Sequence, residues 1–196
     1  MTVTHSGAEL GQGINTKVAQ TVASSLGIDL SLIRIAASST ANVTNGGLTG
    51  GSGTSEVVCQ AAINACSTLN NRLAPFKSQA AQAAAAAAAS GSAKFAPQMD
   101  TSSWIQLLTS LPPETSLNVE GWYSPSTNPN EQPFQYFVYA AALSEIELDV
   151  LSGEVNVLSS EIVYDCGQSL NPAVDIGQIE GAFIMGAGYF LSEVTN

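Results

Sequence analysis

Apolar positions recur at helical spacing in two early stretches. Over residues 15–26, Ile14, Val18, Val22 and Leu26 form one stripe, and Gly27 stands just past its end. Over residues 54–75 the expected spine is Val57, Ala61, Ala65, Leu69 and Leu73, with Pro75 near the end. Residues 1–5 and 32–36 read as strands, and residues 101–111 as a short helix around Trp104, Leu107 and Leu108. Residues 134–142 read as a buried strand. Beyond it the pattern alternates, with Ile146, Leu148 and Val150 on one face and Glu145, Glu147 and Asp149 on the other. Leu151-Ser152-Gly153-Glu154 is a turn and residues 155–163 return, which predicts a hairpin with a solvated acidic face. Asn171-Pro172 offers an N-cap and an N1 proline for a helix of about five turns. The expected class is α+β, a mixture of sheets and helices, with Trp104, Trp122 and the aromatics of residues 134–139 in its core.

A chain of 196 residues makes one domain or part of one. Residues 78–100 interrupt it with an Ala-, Ser- and Gln-rich stretch, expected to be a variable connector. Residues 124–133, rich in proline and asparagine, are expected to be a loop. Five Lys+Arg stand against 16 Asp+Glu, a formal net charge of -11. That balance argues against nucleic acid and against an anionic membrane surface. Cys59, Cys66 and Cys166 match no zinc, haem or iron–sulfur spacing; Cys59 and Cys66 share a helix face and read as small apolar residues. Sparse cysteines, with no signal peptide or spanning segment in view, suit the cytoplasm.

Against this acidic background, three polar, glycine-rich turns each lead into a helix-like stretch. They are Gly7-Ala8-Glu9-Leu10-Gly11-Gln12-Gly13, Asn45-Gly46-Gly47-Leu48-Thr49-Gly50-Gly51-Ser52-Gly53-Thr54-Ser55, and Asp165-Cys166-Gly167-Gln168-Ser169-Leu170-Asn171-Pro172. A helix start carries N–H groups without intrahelical partners and a positive dipole end, so each turn is a candidate anion site built from backbone. Few cations are then needed. His5 reads as a structural hydrogen-bonding residue. Glu9 reads either as an acid favoured by the helix dipole or as a residue orienting Gln12. Glu180 is equally a surface residue or a ligand contact. A run such as 46–53 is also what a flexible linker looks like, but its Thr54-Ser55-Glu56 exit favours an ordered helix start.

Thr4-His5-Ser6-Gly7-Ala8-Glu9-Leu10-Gly11-Gln12-Gly13, followed by Thr16-Lys17, resembles a signature of the molybdenum hydroxylases, the xanthine dehydrogenases and aldehyde oxidases. The block from Asn45 to Glu56 resembles their second cofactor-binding turn. The block from Tyr164 to Phe183, through Asn171-Pro172 and Asp175-Ile176-Gly177-Gln178, is the strongest match. The resemblance implies that the chain is part of one molybdopterin-binding domain over residues 1–196. It implies cofactor contacts at Gly11, Gln12, Gly13, Thr49, Gly50, Gly51, Ser52, Gly53, Thr54, Ser55 and Gln178, with the Gly51 backbone near molybdenum. It also implies an aldehyde or N-heterocycle as substrate, a homodimer, and 2Fe–2S clusters and FAD outside these residues.

The base glutamate of the family stands in a Gly-Glu-Pro-Pro context, which is absent here and expected beyond Asn196, so no catalytic residue is assigned in this segment. The chain is accordingly expected to be an internal piece of a longer enzyme and inactive alone. Two rivals are a stand-alone phosphate- or nucleotide-binding module and a non-catalytic relative of the enzyme. The first lacks a Gly-Lys-Ser/Thr loop and a dinucleotide fingerprint.

Overall fold

The computed structural model describes residues 1–43, 46–77, 99–125 and 136–194. The expectations for the Ala-rich stretch up to residue 98, for residues 126–133 of the proline-rich loop and for Phe134 fall outside them. The chain divides into two compact units, Met1–Pro125 and Ser126–Asn196.

The first unit begins with strand β1, Thr2–Val3, paired in parallel with β2, Arg34–Ile35. Between them lies helix α1, Ile14–Leu26, as the apolar stripe predicts. Gly27 closes it in a left-handed conformation, with its N–H on the Ser24 carbonyl and that of Ile28 on Ala23. Helix α2, Thr54–Leu73, runs into a 3₁₀ turn, Ala74–Phe76, at Pro75. Helix α3, Thr101–Thr109, is capped by Asp100, whose side chain accepts from the Ser103 N–H.

The core is built where these helices meet. Ile14, Val18, Val22 and Leu26 of α1 pack with Val58, Cys66, Leu69 and Leu73 of α2, and with Trp104 and Leu107 of α3. The Cys66 thiol is held neutral there, its pKa pushed up to about 11 by burial. Cys59 is half-buried against the same core, as the small-apolar reading of both cysteines expects. Lys77 is buried as well; its Nζ donates to Asn70 Oδ1 at 2.7 Å, and Asn70 donates onward to the Ser25 carbonyl.

The spine of α2 differs from the expected one. Its buried stripe runs through Val58, Cys66, Leu69 and Leu73, while Val57, Ala61 and Ala65 are half-buried. The reason is a close approach of backbone. A Cβ on Gly121 would stand 2.0 Å from the Ala61 carbonyl oxygen and 2.8 Å from the Ala65 Cβ. The two alanines form the shallow groove this loop crosses. Asn64 Nδ2 and the Arg72 guanidinium fasten it by donating to the carbonyls of Trp122 and Asn118.

The second unit holds the predicted hairpin, β3, Tyr139–Leu148, and β4, Val155–Asp165, antiparallel, with a register shift between Glu145 and Ile146. Asp149 and Glu154 close the turn through an N–H to carbonyl bond of 2.9 Å. Helix α4, Pro172–Leu191, follows from Asn171, whose side chain accepts from the Val174 N–H. Two expectations are corrected here. Among the described residues of 136–142 the strand starts at Tyr139, and its residues are exposed rather than buried. Trp122, Tyr136, Phe137 and Tyr139 are likewise exposed, not core. Two strands and one helix provide no second layer to cover an apolar sheet face. Among the described residues no helix is long and apolar enough to cross a membrane.

Candidate functional site

The first two glycine-rich turns lie against each other in the first unit. The Ala8 N–H donates to Thr49 Oγ1 at 2.9 Å. Ser38 Oγ donates to the Gly7 carbonyl, and a Cβ on Gly46 would stand 2.6 Å from that of Ser6. Beside the turns is an open cleft of about 530 Å³, lined by Ala8, Glu9, Asn15 and residues 35–38 that leave β2.

The first turn is closed by its own side chains. Gln12 spans it: Nε2 donates to the Ala8 carbonyl at 2.8 Å, and Oε1 accepts from the Leu10 N–H at 2.7 Å. Gly13, at the N-cap of α1, brings no side-chain cap. The carboxylate of Glu9 stands in, accepting from the N–H groups of Gly11, Gly13 and Asn15 at 3.2, 2.9 and 3.2 Å. Burial raises the Glu9 pKa, but these three backbone bonds and the nearby His5 outweigh it, so the carboxyl sits below its ordinary value. Of the two readings left open for Glu9, the structure thus shows a helix-start acid that also braces the Gln12 turn. One expectation changes: the start of α1 is not open to an outside anion, because an internal one occupies it.

His5 is buried beneath the turn and hydrogen-bonds Asn15 through Nε2 at 2.9 Å, which fits its structural reading. Its Nδ1 has no partner among the described residues. Neither Asn15 nor Ser38 was singled out by sequence. Asn15 had only its place inside a helix stripe to mark it, and Ser38 lies in a polar stretch without a pattern.

The second turn is open. Gly51 and Ser52 both adopt left-handed backbone, at φ 63° and 60°. Among the described residues, no heavy atom beyond the chain neighbours comes within 4 Å of where a Cβ would sit on Gly47, Gly51 or Gly53. The Gly50 N–H is bonded to Thr54 Oγ1 at 3.2 Å, folding the turn onto the first residue of α2. Gly53 is the N-cap of α2 and supplies no side-chain oxygen. The starts of α1, α3 and α4 are capped by Glu9, Asp100 and Asn171, while the first turn of α2 carries Glu56 without a side-chain cap bond.

The first unit therefore brings together Gly11, Gln12, Gly13, Thr49, Gly50, Gly51, Ser52, Gly53, Thr54 and Ser55. Gln178 belongs to the second unit, exposed on α4. There the third turn is ordered by Asp165, which accepts from the Gly167 N–H at 2.9 Å, and by Asp175, which accepts from Ser169 Oγ. No group of three or more His, Cys, Asp and Glu side chains among the described residues is placed to hold a metal ion.

An uncapped helix start thus lies beside a turn braced by a glutamine amide. Comparison with known sequences makes the family explicit: the chain belongs to the molybdopterin cofactor-binding domain family, whose model matches residues 1–196. It is 38% identical to a xanthine dehydrogenase of Drosophila pseudoobscura pseudoobscura over 97% of this chain and 13% of that protein. It is 40% identical to a putative aldehyde oxidase-like protein of Oryza sativa subsp. japonica, over 95% of this chain and 13% of the relative. It is 38% identical to the aldehyde oxidase of Homo sapiens over 99% of this chain and 14% of the relative. The chain thus spans between 13% and 14% of the length of these curated relatives.

Proposed function

We propose that this chain holds a molybdopterin-type cofactor as part of an oxidoreductase of the molybdenum hydroxylase type, acting on aldehydes or N-heterocycles. Family membership supports the reading. The observation that carries it is the pairing of the two glycine-rich turns, one braced by Gln12 and the other ending in the Gly53 start of α2. The residues fit such a group. The glycines at 47, 51 and 53 leave room that any Cβ would take, and a helix start with no side-chain cap suits a phosphate. When bound, the molybdenum supplies the two-electron oxidation, as is general for cofactor enzymes.

The chain's own residues bind and orient. Ser52, Gly53, Thr54 and Ser55, with the Gly51 backbone, would hold the pterin and its phosphate. Gln12 commits one Nε2 hydrogen to Ala8, so the other can donate to the cofactor. Thr49 accepts from Ala8 and keeps its hydroxyl proton to give. The enzyme is a cytoplasmic homodimer, with 2Fe–2S clusters and FAD carried by other parts of the protein.

The test is elemental molybdenum and oxidised-pterin fluorescence on the full-length protein, expressed with cofactor supply. Stoichiometric amounts of both are expected. A folded protein with neither would sink the reading. Within a loaded enzyme, Gln12→Ala is expected to lower kcat/KM by at least about tenfold, the usual scale for loss of a group that orients a metal centre, and Glu147→Ala to leave it unchanged. Equal effects would remove Gln12 from the site.

A further inference from the structure

We infer that Glu9 is a positioning residue for the cofactor: its carboxylate is a built-in anion that fills the start of α1 and holds the Gln12 turn closed. The inference rests on the cofactor reading above. Two glycine-rich helix starts lie side by side, and both would attract an anion by the same physics. At α1 the site is taken. Glu9 reaches it from four residues before the N-cap and accepts three backbone N–H bonds. A fixed negative charge there repels a second anion.

The same carboxylate governs the shape of the turn. Gly11 and Gly13, which flank Gln12, are both held on Glu9 Oε1. Gln12 in turn ties Ala8 to Leu10, and Ala8 donates to Thr49 of the second turn. On the other flank Asn15 gives its N–H to Glu9 Oε2 and takes a bond from the buried His5. Without the carboxylate, three N–H groups lose their acceptor. The backbone on both sides of Gln12 is then released, and the amide loses its fixed aim.

The experiment uses the full-length enzyme and reads molybdenum and pterin per chain, with the rate at which both are lost on dilution. Glu9→Ala is expected to lose cofactor about tenfold faster than wild type, the lower end of the cost of removing an outer partner at a metal site. Added formate, small enough to enter the vacated N–H cluster, is expected to slow that loss, and to have no effect on wild type or Gln12→Ala. The double variant with Gln12→Ala should lose cofactor no faster than Gln12→Ala alone, since Glu9 acts through that turn.

Wild-type retention in Glu9→Ala would overturn the inference. So would a loss that formate leaves unchanged and that adds in full to the Gln12→Ala effect. If Glu9→Ala is not recovered folded, Glu9→Gln carries the test: its amide keeps one acceptor oxygen, so an intermediate rate is expected and a wild-type rate overturns. A wild-type enzyme that holds no molybdenum or pterin would defeat the cofactor reading itself, a separate result.

Discussion

At the scale of single residues, glycine matters most where it lets backbone meet backbone. Gly121 is such a place. A Cβ there would stand 2.0 Å from the Ala61 carbonyl oxygen and 2.6 Å from the Ala65 nitrogen, both inside a helix that has no freedom to yield. Gly121→Ala should therefore push the loop off α2 and break the bond from Asn64 to the Trp122 carbonyl. A loss of about 3 kcal/mol is expected, the upper part of the range for overpacking. Gly51 is the contrast. It has open space around it but a φ of 63°, so alanine costs only backbone strain, about 1 kcal/mol. Chemical denaturation of both variants checks the order, and a Gly51→Ala more destabilised than Gly121→Ala would refute it.

At the scale of elements, the helices and the hairpin were legible because their signals are local. The stripe from Ile14 to Leu26, the Asn171-Pro172 start and the turn at Gly153 each depend on residues within a few positions. The spine of α2 was less legible, since alanines bring little area and the helix faces are sorted by a loop some sixty residues on. Of the site, the glycine turns and Gln12 were readable as composition and motif. The cap of α1 was legible in part: Glu9 read as an acid favoured by the helix dipole, but not its three backbone bonds, because it lies four residues before the N-cap, where no capping pattern looks. That cap makes the start of α1 sensitive to acid. The folded pKa of Glu9 lies below its ordinary value, so its contribution is complete above the unfolded pKa of about 4.3 and fades as pH falls through the folded value. Amide exchange at the start of α1, followed from about pH 6 to about pH 3 and corrected for intrinsic rates, should show opening on acidification. Glu9→Gln should show that opening already at the higher pH. An acid response unchanged by Glu9→Gln would assign it to another group.

At the scale of the whole molecule, the two units differ in what stabilises them. The first has a core of fully buried side chains, including Ile14, Val18, Ile28 and Leu73. In the second, neither α4 nor β3 has a buried residue, and Leu143, Val163, Met185 and Phe190 are each at least 74% exposed. Burial of apolar side chains is the dominant favourable term in folding, so hydrogen bonds along a single hairpin and helix leave that unit marginal. Its third turn, with Gln178 on the helix behind it, would then be ordered only when further apolar surface covers these faces. The 196-residue chain, studied alone and without cofactor, should accordingly show slow amide exchange in α1 and α2 and fast exchange in β3, β4 and α4. Mass spectrometry of exchange in these segments makes the comparison directly. Protection of α4 equal to that of α1, or one sharp melt that includes the hairpin, would mean that the second unit is stabilised by something other than its own exposed faces. The same measurement on the full-length protein should then show whether α4 gains protection once further apolar surface covers it.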